Sequence, residues 1–112
     1  LLNQVEGIQC QRPIRQTQRN YAYFPIFVQD NFPLSRDELY LFLQENGIYG
    51  RRYFYPLISE FPMYADMPSS DNLELAVAFK ASRQVICLPL YPDLPMESIE
   101  AICGHIAGVT RD

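Results

Sequence analysis

Tryptophan is absent from this 112-residue sequence, and lysine and histidine occur once each, as Lys80 and His105. A single lysine leaves one side chain able to form a Schiff base. Lys80 stands near the end of a helical pattern, where a solvated cation suits the helix dipole. His105 also stands late in a helical pattern, without a neighbouring nucleophile or acid pair, and reads as a helix-end residue. Three cysteines, Cys10, Cys87 and Cys103, lie far apart. They form no C-x-x-C pair, which argues against zinc and fits reduced thiols in the cytoplasm. Cys87 and Cys103 fall in apolar stretches and read as inert core thiols. Five glycines build neither G-x-x-x-x-G-K-S/T nor G-x-G-x-x-G, so no phosphate loop is encoded. No apolar run approaches the ~20 residues of a membrane span. No charged-then-apolar leader is visible at the start. Positive charge is short as well: nine Lys+Arg face thirteen Asp+Glu, a net charge of −4. That balance argues against a general nucleic-acid partner.

What is present is a core. Hydrophobic residues make up 48% of the chain, enough to exclude a disordered segment, and its length suits one domain, residues 1–112. The opening Leu1-Leu2-Asn3 lacks an initiator Met, so the chain is expected to be part of a longer protein. Residues 7–11 alternate weakly, as a short strand would. Tyr21 to Val28 is rich in β-branched and aromatic residues and predicts a strand, with Pro25 favouring an edge or a bulge. Ser35-Arg36-Asp37-Glu38 matches a capping box, and Leu39, Phe42 and Leu43 follow at helical spacing. Asn46-Gly47 is a stop, giving a helix over 36–46. Ile48 to Tyr55 predicts another strand. Residues 59–69 read as a loop whose Phe61, Met63, Tyr64 and Met67 tuck against the body. Ser70-Asp71 predicts a helix from Asn72 to about Ser82. Val85 to Leu88 is an apolar strand, and Pro95 opens a last helix with Ile99, Ile102, Cys103 and Ile106 as its buried stripe. Beyond Gly108 the chain is expected to fray.

This order predicts an α+β domain of two layers. A three- to four-stranded, mainly antiparallel sheet is covered on one face by about three helices. The carboxylates fall mostly at caps and in loops, where capping explains Asp71 and Glu38 without chemistry. The unusual stretch is Arg51-Arg52-Tyr53-Phe54-Tyr55-Pro56. Its guanidiniums suit phosphate or carboxylate, and its tyrosines suit a sugar or base. The plain alternative is a strand with alternate residues buried and arginines in solvent.

The ordered series of segments resembles a known family. Tyr21-Ala-Tyr-Phe-Pro-Ile26 is followed by Ser35-Arg-Asp-Glu-Leu39, Glu45-Asn-Gly-Ile48 and Arg51-Arg-Tyr-Phe-Tyr-Pro-Leu57. Pro62-Met-Tyr64, Ser82-Arg-Gln-Val-Ile-Cys-Leu-Pro-Leu-Tyr91 and Ile99-Glu-Ala-Ile102 complete it. From about Val5 to Ile106 this resembles the C-terminal small domain of the DegT/DnrJ/EryC1/StrS sugar aminotransferases. The resemblance implies the type I aminotransferase fold, with pyridoxal 5'-phosphate held by a large domain elsewhere in the parent enzyme and none bound by this chain alone. It implies a nucleotide-linked keto sugar, with a 3-keto sugar suggested by the Arg-Tyr-Phe-Tyr-Pro-Leu variant, and glutamate as amino donor. It also implies a homodimeric parent, and Arg52, Tyr53 and Tyr55 as substrate-binding residues. Lys80 does not match the family's catalytic lysine. Many members carry His where Tyr53 and Ile58-Ser59 stand here. Two other readings stand beside it: a separate ferredoxin-like binding or regulatory domain, and a single-strand RNA binder stacking bases on Tyr21, Tyr23, Tyr53 and Tyr55.

Overall fold

The computed structural model describes residues 1–71 and 73–109. Strands β1 (Ile8–Cys10) and β2 (Phe24–Val28) precede helix α1 (Arg36–Glu45). Helix α2 (Ala76–Gln84) runs directly into β3 (Val85–Leu88), and α3 (Met96–Ala107) closes the chain. The strands form one antiparallel sheet in the order β1-β2-β3. The predicted α+β class is observed, with three strands and three α-helices among the described residues.

Strand alternation explains the core. Ile8, Ile26, Val28, Ile86 and Leu88 join Leu39 and Leu43 of α1 and Ile102 and Ile106 of α3 in one buried cluster. Ile26, Leu39, Leu43, Ile86 and Ile106 are fully enclosed. Each such side chain contributes roughly 1.5–3 kcal/mol by leaving water. Helix α2 adds no residue to this cluster.

Pro25 lies in the central strand, not at an edge, and the register shows why this is tolerated. β1 pairs only with Ile26 to Val28, so Pro25 lies beyond its reach. On the other side Pro25 faces Cys87, whose N–H and C=O both bond Arg51 (2.8 and 2.9 Å). Pro25 therefore occupies a non-bonded pair, where its missing donor costs nothing.

Helix α1 begins and ends as its residues dictate. The Glu38 N–H donates to Ser35 Oγ (3.3 Å), and the Ser35 N–H donates to Glu38 Oε2 (2.7 Å). At the other end Gly47 takes φ +75°, and the N–H groups of Gly47 and Ile48 bond the carbonyls of Gln44 and Leu43. Those two bonds satisfy carbonyls the helix leaves open.

Three expectations are corrected. The strand over 48–55 does not form: only Arg51 pairs, opposite Cys87. Gly50 lets the backbone approach, since a Cβ there would meet Ile86 Cγ2 at 2.9 Å. Phe54 then takes φ +43°, and the chain turns away from the sheet. Helix α2 starts at Ala76 rather than Asn72, which lies outside the described residues. The Asp71 carboxylate accepts the Leu73 N–H (2.8 Å), closing a turn before the helix instead of capping it. The 59–69 segment does not tuck in: Met63, Tyr64 and Met67 are exposed, and Phe61 is half-buried. The radius of gyration, 15.6 Å, exceeds the ~13 Å of a compact chain this long. A smaller shift concerns Pro95, which is the residue before α3 rather than within its first turn. Of the fraying expected over Gly108 to Asp112, Gly108 and Val109 instead bond the carbonyls of Gly104 and Ile106 (2.9 and 3.4 Å), and residues 110–112 lie outside the described residues.

Candidate functional site

The Arg51–Pro56 segment leaves the sheet at Arg51 and crosses the start of α1. Arg52 and Tyr55 turn toward that helix. The Arg52 guanidinium carbon lies 4.5 Å from the Tyr40 ring centre and 5.6 Å from that of Tyr55. Arg36 lies 4.5 Å from the same Tyr55 ring. The series Arg36, Tyr55, Arg52, Tyr40 thus alternates cation and ring. Each such contact contributes about 0.5–2 kcal/mol, more where water is excluded. Asp37 Oδ1 joins the two arginines, at 2.8 Å from Arg36 Nε and 3.4 Å from Arg52 Nε. The second distance is an ion pair without hydrogen-bond alignment, and Arg52 Nε has no hydrogen-bond partner despite being buried. Two guanidiniums on one carboxylate leave the cluster net positive.

Tyr53 points elsewhere. Its ring meets Tyr23 edge-on (5.2 Å, 66°) and Phe54 (4.3 Å, 61°). Tyr23 lines a cleft of about 670 Å³ with Tyr49, Arg51, Tyr91 and His105. His105 is half-buried and lies edge-on to Phe42 (6.3 Å). Of the three residues singled out from sequence, the structure therefore joins Arg52 and Tyr55 and sets Tyr53 apart. Beyond the segment, the Leu57 N–H donates to Glu60 Oε2 (3.0 Å), and Glu60 Oε1 pairs with Arg83 (3.1 Å).

Sequence reasoning missed Arg36, Asp37 and Tyr40 as members of this cluster. Arg36-Asp37 looked like an ordinary first helical turn. One signal was available: a cation in the first turn opposes the helix dipole, so an arginine there calls for another use. Here its buried Nη1 donates to the carbonyls of Ser82 (2.7 Å) and Val85 (3.3 Å).

Cys87 and Cys10 supply no poised nucleophile. Burial pushes the Cys87 thiol pKa up, against the pull of Arg51. Burial likewise raises Cys10, against the N-terminal charge and with a smaller upward push from Cys103. A raised thiol pKa keeps the thiolate scarce at neutral pH. Among the described residues no group of three or more His, Cys, Asp or Glu could hold a metal. No described helix is long and apolar enough to cross a membrane. The sheet order β1-β2-β3 differs from the four-stranded split-βαβ arrangement of a ferredoxin-like domain. Tyr21, Tyr23, Tyr53 and Tyr55 all lie outside the strands, so they form no stacking platform on the sheet.

Known proteins share this sequence and fold. The chain is 44% identical over 92 residues to a dTDP-4-amino-4,6-dideoxy-D-glucose transaminase of Escherichia coli, covering 82% of this chain and 25% of that protein. A protein of the same name from Shigella dysenteriae is 37% identical over 105 residues, covering 94% and 28%. A GDP-perosamine synthase of Vibrio cholerae is 29% identical over 99 residues, covering 88% and 26%. The chain thus spans about a quarter of the length of these relatives. The crystal structure of the aminotransferase TlmJ from Streptoalloteichus hindustanus superposes with a TM-score of 0.75. It is 21% identical, and the match covers 95% of this chain and 27% of that one. The profile of the DegT/DnrJ/EryC1/StrS aminotransferase family matches residues 1–107, and the chain belongs to that family.

Proposed function

We propose that this chain is the small domain of a pyridoxal-phosphate-dependent transaminase acting on a nucleotide-linked keto sugar. In this reading Arg52, Tyr53 and Tyr55 form one wall of the sugar pocket. The observation that carries it is the positive, ring-lined cluster on the segment where the chain leaves its sheet. A guanidinium there offers paired donors to a diphosphate oxygen, and the tyrosine rings and hydroxyls suit a pyranose. Two relatives are transaminases named for a dTDP-linked 4,6-dideoxy-D-glucose whose amino group is on carbon 4. Transamination of such an amine corresponds to a ketone at carbon 4. A 4-keto sugar is therefore favoured over the 3-keto sugar that the motif variant suggested, with glutamate as the proposed donor.

The residues of this chain do not fit attachment of the cofactor. Lys80 is exposed on α2, beside an open cleft that also touches Ser35, Arg36 and Asp30. Ser35 is committed to its capping box, Arg36 to buried carbonyls and Asp30 to Gln84 (3.2 Å). These three side chains beside Lys80 are therefore already engaged and offer a cofactor neither an acid for its pyridine nitrogen nor a phosphate cradle. In the proposed enzyme the cofactor supplies the electron sink from a large domain, and this chain binds and orients the sugar. Exposed apolar side chains at Ile58, Met63, Met67, Leu73 and Val77 support a role in meeting that large domain and a second subunit. The cytoplasm is the proposed location, matching the supply of nucleotide sugars and the reduced thiols.

The test uses the full-length protein with glutamate and a dTDP-linked 4-keto-6-deoxy sugar, following the amino sugar by mass spectrometry. Amino-sugar formation is expected, and Arg52→Ala should raise the sugar KM about tenfold, as loss of a charged contact does. Turnover of glutamate with simple keto acids alone, and none with any keto sugar, overturns the reading.

A further inference from the structure

Arg36 is the most deeply buried charged side chain among the described residues, at 4% exposure, yet its neighbour Asp37 is largely in solvent. A buried guanidinium is costly unless its donors are satisfied. Here Nη1 and Nε have distinct partners. Nη1 bonds the carbonyls of Ser82 at the end of α2 and Val85 at the start of β3. Nε bonds Asp37, and the guanidinium carbon lies 4.5 Å from the Tyr55 ring centre. One side chain thus ties the α2–β3 junction, the first turn of α1 and the segment bearing Arg52 and Tyr55. No other described interaction links all three.

We propose that Arg36 is a positioning residue for the sugar site. Its guanidinium, anchored on two backbone carbonyls, sets the Tyr55 ring and, through the carboxylate it shares, the Arg52 side chain. The inference rests on the reading of Arg52 and Tyr55 as sugar-binding groups. Lysine cannot replace it. An ammonium carries the charge but lacks the planar fork that reaches two carbonyls, a carboxylate and a ring face together. Arg36 touches neither sugar nor cofactor in this scheme and acts only by holding residues that do.

A transaminase separates the two roles kinetically, because donor and sugar react in separate half-reactions. A structural defect lowers the active fraction and depresses kcat/KM for both substrates alike. A positioning defect depresses kcat/KM for the sugar alone. In the full-length holoenzyme, Arg36→Lys is expected to lower kcat/KM for the nucleotide sugar about tenfold or more, since small misplacements are costly. The value for glutamate should stay within about twofold, and the loss should not add to that of Arg52→Ala/Tyr55→Ala. Asp37→Asn, at an exposed position, weakens the shared anchor while leaving an amide oxygen that can still accept from Arg36 Nε. It should give the same pattern more weakly, and it decides the matter if Arg36→Lys does not fold. Equal losses for sugar and donor overturn the inference, as does an additive loss. An unchanged Arg36→Lys enzyme beside impaired Arg52→Ala and Tyr55→Ala enzymes overturns it and leaves the sugar-site reading standing. If Arg52→Ala and Tyr55→Ala leave sugar kinetics unchanged, the reading falls and the inference falls with it.

Discussion

The sheet with α1 and α3 and the long segment from Leu57 to Val77 carry similar apolar residues and treat them oppositely. In the first region Ile26, Leu39, Ile86 and Ile106 lose essentially all contact with solvent. In the second, Leu73 and Val77 remain 85% and 86% exposed, and Ile58 and Met63 follow them. Composition alone does not separate the two. The body closes a core because strand alternation and two helix stripes face one another. The arm carries short turns at Ile58–Glu60 and Pro68–Ser70 that contact each other, and Glu60 pairs with Arg83 of α2. Exposed apolar surface of this kind is the proposed contact with the rest of the enzyme. The difference teaches that the stability of this chain is held in its body, while the apolar residues of the arm add little to it.

The sharpest way to break this comparison is to cut into both regions equally. Leu39→Ala removes a fully enclosed side chain of α1 and should destabilise the chain by about 2–5 kcal/mol. Leu73→Ala removes a side chain of the same size from the arm and should change stability by no more than about 0.5 kcal/mol. Urea unfolding followed by far-UV circular dichroism measures both. Equal losses would mean that the arm is packed in solution and that the contrast is wrong.

A smaller effect tests how the body is specified locally. Ser35→Ala deletes the α1 cap and should cost about 1 kcal/mol. The same bonds hold the Glu38 carboxyl below its ordinary pKa, first through the Ser35 hydroxyl and then through its N–H. A lowered folded pKa means the charged form is favoured in the native state. This contribution is complete above the unfolded value and is lost as pH falls through the folded one. In Ser35→Ala the Glu38 titration should move upward, and stability should fall less between neutral and acid pH. Carbon-detected NMR titration of Glu38 checks the shift.

These elements differ in how far their own residues foretell them. Both ends of α1 could be read because a capping box and a stop glycine act within a few residues of the helix they bound. The strand expected over 48–55 could not. Its aromatic residues fit a pleated surface, but pairing depends on a neighbouring edge, and that edge meets the segment only at Arg51. The start of α2 was misplaced because one carboxylate can cap a helix or close a turn, and Asp71 closes the turn. The Arg52–Tyr55 cluster was not legible as an arrangement. Its partners Arg36 and Tyr40 lie more than ten residues earlier, and only the fold brings them together.

The smallest expected effect bears most directly on the arm. Val77→Asp places a charge on an exposed face of α2, where water already solvates the position. In this chain alone the change should leave stability within about 0.5 kcal/mol, as surface substitutions do. The proposed full-length enzyme should respond differently. If the rest of the protein covers this face, the carboxylate must lose its water without a partner, a cost of several kcal/mol. Thermal unfolding of the pair, fragment and full-length, each with valine or aspartate at position 77, isolates that cost. A large drop confined to the full-length protein shows that the arm's apolar side chains wait for a surface beyond this chain. An equally small change in both shows that the face stays in solvent in the assembled enzyme. The exposure of Leu73 and Val77 would then be a property of the whole protein and not of its missing neighbour.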